Sequence, residues 1–307
     1  MCGLPANEAR DVTPVRSVRV TVPASTANLG PGFDALGMAL GLHDVVELEV
    51  TGAGLEIEVV DAGAGGVDEV PTDESHLVVR ALRRASAHLG IEVPGIRLRC
   101  HNAIPHARGL GSSAAAVVSG VAAAYAIANR ELDAHALQLA AEFEGHADNA
   151  AASLLGGLVI AWCDAGEFRA ERLTPAASIR PVLAVPTERS STDATRGLLP
   201  DQVSHADAAF TAGRAALAVH AMTARPDLLL AATADRLHQD YRAPAYPASA
   251  ALVRTLREHG VPAAISGAGP TVLALTREGI LPEAVGVTSF EVIELTIDLV
   301  GVQIVTK

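Results

Sequence analysis

Residues Ile104–Ala116 read IPHARGLGSSAAA. Gly109 and Gly111 let a backbone approach an anion closely, Ser112 and Ser113 follow as caps or metal ligands, and an alanine run starts a helix whose N-terminus faces the loop. That order of residues describes a cradle for nucleotide phosphates. The chain's only lysine is Lys307, at its end, which excludes a P-loop of the G-x-x-x-x-G-K-[ST] kind and a lysine Schiff base. Positive charge at the phosphates must therefore come from arginine and a metal ion. Gly109, Gly111 and Ala114 also satisfy G-x-G-x-x-[GA], the dinucleotide fingerprint. That fingerprint follows a strand directly, whereas here the expected strand ends near Cys100 and Pro105 intervenes. The plain structural alternative is a Gly/Ser-rich turn capping a buried helix.

The 307 residues are enough for two domains of ordinary size. With 50% hydrophobic and 19% charged residues but only 3% aromatics, alanine, valine and leucine must fill the core, and elements must pack closely. A net charge of -12 repels a phosphate polymer, so neither nucleic acid nor an anionic membrane is expected as partner. Cys2, Cys100 and Cys163 are odd in number and widely spaced, suggesting neither a disulfide framework nor a zinc site and fitting the cytoplasm. The opening MCGLPANEARDVTPVR lacks the basic start and apolar run of a signal peptide. The longest apolar stretch, Ala114–Ala128, is too short to span a membrane and is broken by Ser119 and Gly120.

Residues 1–15 read as a loose leader. Alternation at Val18, Val20 and Val22 predicts a strand ending at Pro23, and further strands are expected at 44–50, 55–60, 96–100 and 157–162. Helices are expected over 77–89, after the cradle and over 134–144, with a Gly/Asp-rich loop at 61–75. The polar stretch 163–177 reads as a hinge, dividing a domain over 16–170 from one over 171–307. Beyond it the pattern predicts strands at 182–185, 263–266, 271–276, 292–297 and 302–305, and helices at 206–221, 227–239 and 248–259. Mixed strands and helices without strict βαβ alternation make the fold class α+β.

Five strings occur in one order over nearly the whole chain: PASTANLGPGFDALG (23–37), the cradle, EFEGHADNAAASLLGG (142–157), STDATRGLLP (191–200) and ISGAGPT (265–271). With that set the chain resembles the GHMP kinase superfamily, and within it the homoserine-phosphorylating branch. The resemblance implies a two-domain fold, with an N-terminal half like ribosomal protein S5 domain 2 and a C-terminal ferredoxin-like sandwich. The active site would lie between them. It also implies ATP as cosubstrate, Mg²⁺, L-homoserine as acceptor and a homodimer.

Carried over residue by residue, the resemblance places ATP at Pro105, His106, Ala107, Arg108, Gly109, Leu110, Gly111, Ser112, Ser113, Ala114 and Ala115. Gly267 and Gly269 would contribute backbone. The metal would take Ser113 and one glutamate of the Glu142-x-Glu144 pair, Glu142 preferred and Glu144 the fallback, since magnesium keeps waters and few protein oxygens. A small amino alcohol's carboxylate asks for arginine, Arg196 and Arg242, and its ammonium for Asp34. Asn28, His146 and Asn149 would orient the hydroxyl and remaining atoms, making Asn28, Asp34, Asn149 and Arg196 the catalytic set. Asp148 is the one placed carboxylate able to serve as a base, a role that direct transfer does not need. For Arg242 the alternative is a surface position, with Arg236 close by in sequence.

Two departures from the branch stand out: Ala147 where proline is usual, and His76 where asparagine commonly precedes Leu-Val, in a segment expected near the adenine. Cys100-His101 is no metal site, because neighbours on a strand face opposite ways. His205, His220, His238 and His259 show no ligand spacing. Rival readings are a GHMP kinase for another small alcohol, such as mevalonate or a sugar, and a non-catalytic nucleotide or amino-acid sensor on the same fold.

Overall fold

The computed structural model describes residues 15–187 and 195–307. The expected leader, except residue 15, and residues 191–194 of the fourth string lie outside them.

Strand β1 (Ser17–Asn28) keeps the alternation of Val18, Val20 and Val22 and then runs on past Pro23, where the ladder with β2 shifts register. Proline brings no N–H to that ladder, so the shift falls there. Strand β2 (Gly32–Thr51) is 20 residues long and starts well before the expected 44. Within its first half, rich in Gly and Ala, residues 36–40 are buried on both faces and so show no period of two. That half pairs with β5 (Leu158–Asp164), and its second half pairs with β4 (Gly95–Asn102). With β3 (Gly54–Asp61) parallel to β4 and β6 (Glu167–Leu173) on β5, this forms the first sheet. The hinge expected at 163–177 is largely the β5–β6 hairpin; Phe168 and Ala170 alternate with charged residues there.

Helices α2 (Ser112–Ile127), α3 (Ala134–Ala141) and α4 (Asp148–Leu155) pack on this sheet, and α1 (Leu77–Leu89) packs on α2. The α2 sequence, SSAAAVVSGVAAAYAI, is buried along nearly its whole length, with small side chains admitting close neighbours on every side. The second sheet is antiparallel: β7 (Arg180–Pro186) and β9 (Val272–Thr276) are central, β8 (Ala263–Ile265) and β10 (Phe290–Glu294) at the edges. Its central strands obey the period of two. Leu183, Val185, Leu273 and Leu275 join the large core of the first sheet, while Val182, Ala184, Val272 and Ala274 form a smaller core with Leu252 and Leu256.

Helix α5 (His205–Thr223) carries a Ser204 cap on the Asp207 N–H. The single helix expected over 227–239 is instead a short α6 (Leu229–Ala232), a turn, and α7 (Gln239–Arg242). The Asp235 carboxylate accepts from the N–H groups of Leu237, His238 and Gln239, a local alternative to helix continuation. Helix α8 (Pro247–Glu258) follows. The last strand, β11 (Gln303–Thr306), returns to pair with β1, so the chain ends in the sheet where it began. The expected division at residue 170 falls inside β6.

Candidate active site

Three backbone segments are laced together at the junction of the two sheets. Ser266 Oγ donates to Gly109 O at 2.6 Å and lies 2.8 Å from Thr26 Oγ1. The Gly267 N–H reaches Ala27 O, the Thr271 N–H reaches Arg108 O, and the Ser25 N–H reaches Leu110 O. Gly109 has φ +76°, and a Cβ there would lie 2.9 Å from Gly269 O and against Ser266 O. Only glycine meets both conditions. The segment ISGAGPT therefore braces the cradle from behind.

These segments border a cavity of about 530 Å³. Asn28, Asp34, His146, Asp148, Asn149, Arg196 and Arg242 all line it, together with Gly109, Gly111, Ser112, Ser113, Gly267 and Gly269. Residues 239 positions apart in the chain thus meet in the hydrogen bond from Asn28 Nδ2 to Gly267 O at 2.8 Å. Asn28 and Asp34 hold left-handed backbone, φ 67° and 53°, and the Asp34 N–H donates to Asn28 Oδ1. Asn and Asp tolerate that conformation better than other non-glycine residues.

From α4, Asp148 is buried; its Oδ1 accepts from His146 Nδ1 at 2.8 Å and from the Asn149 N–H. Burial alone would lower the His146 pKa, but the Asp148 hydrogen bond and the charges of Asp148, Glu144 and Asp34 outweigh it and raise it. Asn149 Oδ1 accepts from Ser25 Oγ, fixing its amide. Ala147, the departure from proline, is buried beside these groups and leaves their contacts in place.

Arg196 and Asp34 form a bidentate fork, both N–O distances 2.9 Å. Arg242 is not the surface group that its neighbour Arg236 suggested: it is 1% exposed and the bulkiest of the fully buried side chains. Its Nε donates to Thr195 O at 3.3 Å and its Nη1 to His238 Nδ1 at 3.5 Å, and no carboxylate among the described residues pairs with it. Burial, with Arg196 nearby, lowers its pKa. Both guanidiniums lie over the Phe33 ring, at 5.4 and 5.2 Å from its centroid. Two arginines and a carboxylate in one concavity offer charges complementary to both ends of a zwitterion.

Within the cradle, Ala107, Gly109, Gly111, Ser112 and Ser113 border the cavity. The first turn of α2 has no side-chain cap, so its N–H groups remain available to an anion. Pro105, Arg108, Leu110, Ala114 and Ala115 do not line this cavity. Leu110, Ala114 and Ala115 are buried in the core, and the Arg108 guanidinium is held by Pro186 O, Thr187 O and His106 O. Arg108 therefore ties the cradle to β7.

Glu142 also lies outside the cavity: its carboxylate pairs with Arg84 and accepts from Gln138 Nε2. The carboxylate beside Ser113 belongs to Glu144, which lines the cavity with it. Burial pushes the Glu144 pKa up, against His146 and Ser113, and its Oε2 is buried without a hydrogen-bond partner. A carboxylate oxygen so placed is costly unless a cation or proton meets it.

A second cavity, of about 340 Å³, adjoins the first through Ala107, Ser112 and Ser113. Its walls include Val46, Val70, Pro71, Leu77 and Cys100, with Asp44 and His76. His76 caps α1, its Nδ1 accepting from the Val78 N–H, and burial lowers its pKa, so its ring stays neutral. Asp44 Oδ1 accepts from the Ala103 and Ile104 N–H groups and fixes the entry to the cradle; burial pushes its pKa up to about 6. Ser25, Phe33, Asp44 and Ser266 were not selected by sequence reasoning, although all but Asp44 stand inside quoted strings.

Residues 76–157 match the model of the GHMP kinases N terminal domain and residues 213–285 that of the GHMP kinases C terminal. The chain is 55% identical over 266 residues to homoserine kinase of Streptomyces avermitilis, covering 85% of this chain and 86% of that protein. With homoserine kinase of Mycobacterium tuberculosis the identity is 51% over 291 residues and 90% of each. Among solved structures, homoserine kinase from Cytophaga hutchinsonii superposes with a TM-score of 0.79 at 25% identity, covering 99% of this chain and 100% of that one. No helix among the described residues is long and apolar enough to cross a membrane.

Proposed function

The chain belongs to the GHMP kinases, in their homoserine kinase branch, and from that premise we propose how its residues carry ATP-dependent phosphorylation of the side-chain hydroxyl of L-homoserine. The observation that carries the reading is the placing of Arg196, Arg242 and Asp34 in one cavity with the glycine cradle. Homoserine's carboxylate takes the two arginines and its ammonium takes Asp34. On entry the zwitterion exchanges the Arg196–Asp34 fork for its own two charges, so the net charge of the site does not change.

ATP lies with its phosphates on the cradle and the α2 N-terminus, and its base in the adjoining cavity lined by His76. Catalysis is positioning and charge stabilisation: Asn28 and Asn149, each held by a second hydrogen bond, direct the hydroxyl at the γ-phosphorus. His146, whose pKa the Asp148 hydrogen bond and neighbouring carboxylates raise, presents its imidazole beside the transferring group. Asp148 thereby serves to hold His146 and Asn149, and no strong base is required.

Mg²⁺ fits the pair Ser113 and Glu144, because Glu144 offers an otherwise unsatisfied buried oxygen next to a hydroxyl. When bound, the ion neutralises phosphate oxygens that no lysine reaches. The same reading makes the protein a cytoplasmic homodimer acting in threonine biosynthesis, with threonine competing for the zwitterion receptor.

A coupled ADP-release assay with Mg²⁺ and ATP tests this, comparing L-homoserine, mevalonate, galactose and L-threonine. Turnover of homoserine alone is expected. Turnover of another alcohol in its place would keep the phosphate cradle and discard the zwitterion receptor, and ATP binding without turnover would favour a sensor.

A further inference from the structure

His238 is completely buried and sits between the two halves of the proposed homoserine receptor. Its Nε2 lies 2.7 Å from Gly30 O, which can only accept, so Nε2 carries the proton and Nδ1 is left as an acceptor. That Nδ1 faces Arg242 Nη1 at 3.5 Å. The ring stacks on Phe33 with centroids 5.2 Å apart, the same ring over which both arginines lie. Gly30 stands between Asn28 and Asp34 in the β1–β2 connection, and a Cβ there would lie 2.5 Å from Thr233 O, so this loop is pressed against the 233–242 segment.

We infer that His238 is a positioning residue for the amino-acid substrate, holding the loop of Asn28 and Asp34 in register with the Arg242 guanidinium through one imidazole. This deepens the homoserine reading and rests on it. Without the imidazole, Arg242 has only Thr195 O to orient it and the loop loses a buried tie. Homoserine binding should suffer, while the nucleotide, held by the cradle on the other side of the cavity, should not.

The charged groups around the ring are Arg242, 3.5 Å from Nδ1, and Asp235, whose Oδ2 is 3.6 Å from Nε2, with Asp34 also acting on it. Burial dominates and keeps the ring neutral at pH 7. A second proton would go to Nδ1, removing the acceptor and placing positive charge against Arg242. Because burial holds its pKa below that of an ordinary imidazole, the specificity constant for homoserine should fall only on the acid side of the usual histidine range, in a way that depends on this ring.

The experiment is steady-state kinetics of the full chain and of His238→Phe and His238→Gln, varying homoserine and ATP separately, from pH 5.5 to 8. His238→Phe keeps the stacking surface and should raise the homoserine KM at least tenfold while the ATP KM moves less than twofold. His238→Gln, with one donor and one acceptor, should recover much of the loss and lack the acidic limb assigned to the ring. Nitrogen NMR of the wild-type imidazole should show the Nε2–H tautomer, independently of any variant's folding. Equal changes in both KM values, an unchanged homoserine KM, or an Nδ1–H tautomer would overturn the inference and leave the homoserine reading standing. Failure of the wild-type chain itself to phosphorylate homoserine would overturn both.

Discussion

Replacing Arg242 by Met should weaken homoserine use while leaving the fold at least as stable. The guanidinium is buried, makes two long hydrogen bonds of 3.3 and 3.5 Å, and pairs with no carboxylate among the described residues. Exchanging buried ion pairs for apolar side chains of similar volume often stabilises by about 1–4 kcal/mol, and a lone ion has no partner's attraction to lose. The shorter methionine leaves a small void costing about 1 kcal/mol. The net expectation is a gain of about 0–3 kcal/mol, or a rise in Tm of up to about 6 °C at roughly 2 °C per kcal/mol. Binding moves the other way: losing one charged hydrogen-bonding partner of the substrate carboxylate costs about 1.5–3 kcal/mol, a rise of about 10- to 150-fold in homoserine KM. Calorimetric melting and ADP-release kinetics on one preparation read both quantities. A Tm lowered by more than about 5 °C with homoserine KM unchanged would refute the reasoning and make Arg242 a structural group.

Other perturbations separate the remaining parts of the site. Gly109→Ala places a Cβ 2.9 Å from Gly269 O at a φ of +76°, and should lower kcat/KM for ATP by up to about 100-fold, as expected when a cradle shifts by about an ångström; initial rates against ATP check it. Glu144→Gln should raise the Mg²⁺ concentration needed for half-maximal rate at least about tenfold, whereas Glu142→Gln breaks only the contacts to Arg84 and Gln138 and should leave it within about threefold; a Mg²⁺ titration distinguishes them. Asp44 rises from an ordinary 3.8 to about 6 on folding, so between those values the native state binds more protons than the unfolded chain and stability falls as pH rises. Asp44→Asn keeps the acceptor for Ala103 and Ile104 and should gain on the wild type from pH 4 to 6, levelling at up to about 3 kcal/mol; urea unfolding at each pH measures this.

Much of the architecture is legible in the sequence where one physical pattern acts alone. The β1 alternation, the α1 stripe and the helix after the cradle depend on local period and caps, and their positions follow. The first half of β2 is hidden because a strand buried on both faces has no alternation, and its glycines and alanines suggest a loop. The helix expected over 227–239 fails at Asp235, where a side chain takes over the backbone donors; His238, four residues before Arg242, was lost inside it. The choice between Glu142 and Glu144 is also a matter of tertiary placement: two residues apart, one turns to Arg84 on α1 and the other into the cavity. Arg242 could not be told from Arg236 by spacing, since its burial involves Phe33, which comes from a distant segment.

The central claim, direct transfer of the γ-phosphoryl group to homoserine, is tested most directly by phosphorus NMR of the reaction with ATP and L-homoserine. The account predicts a phosphomonoester signal split by two neighbouring CH₂ protons, growing one for one with loss of the γ-phosphorus signal. Loss of that signal to inorganic phosphate alone, or no change with homoserine present, would contradict it.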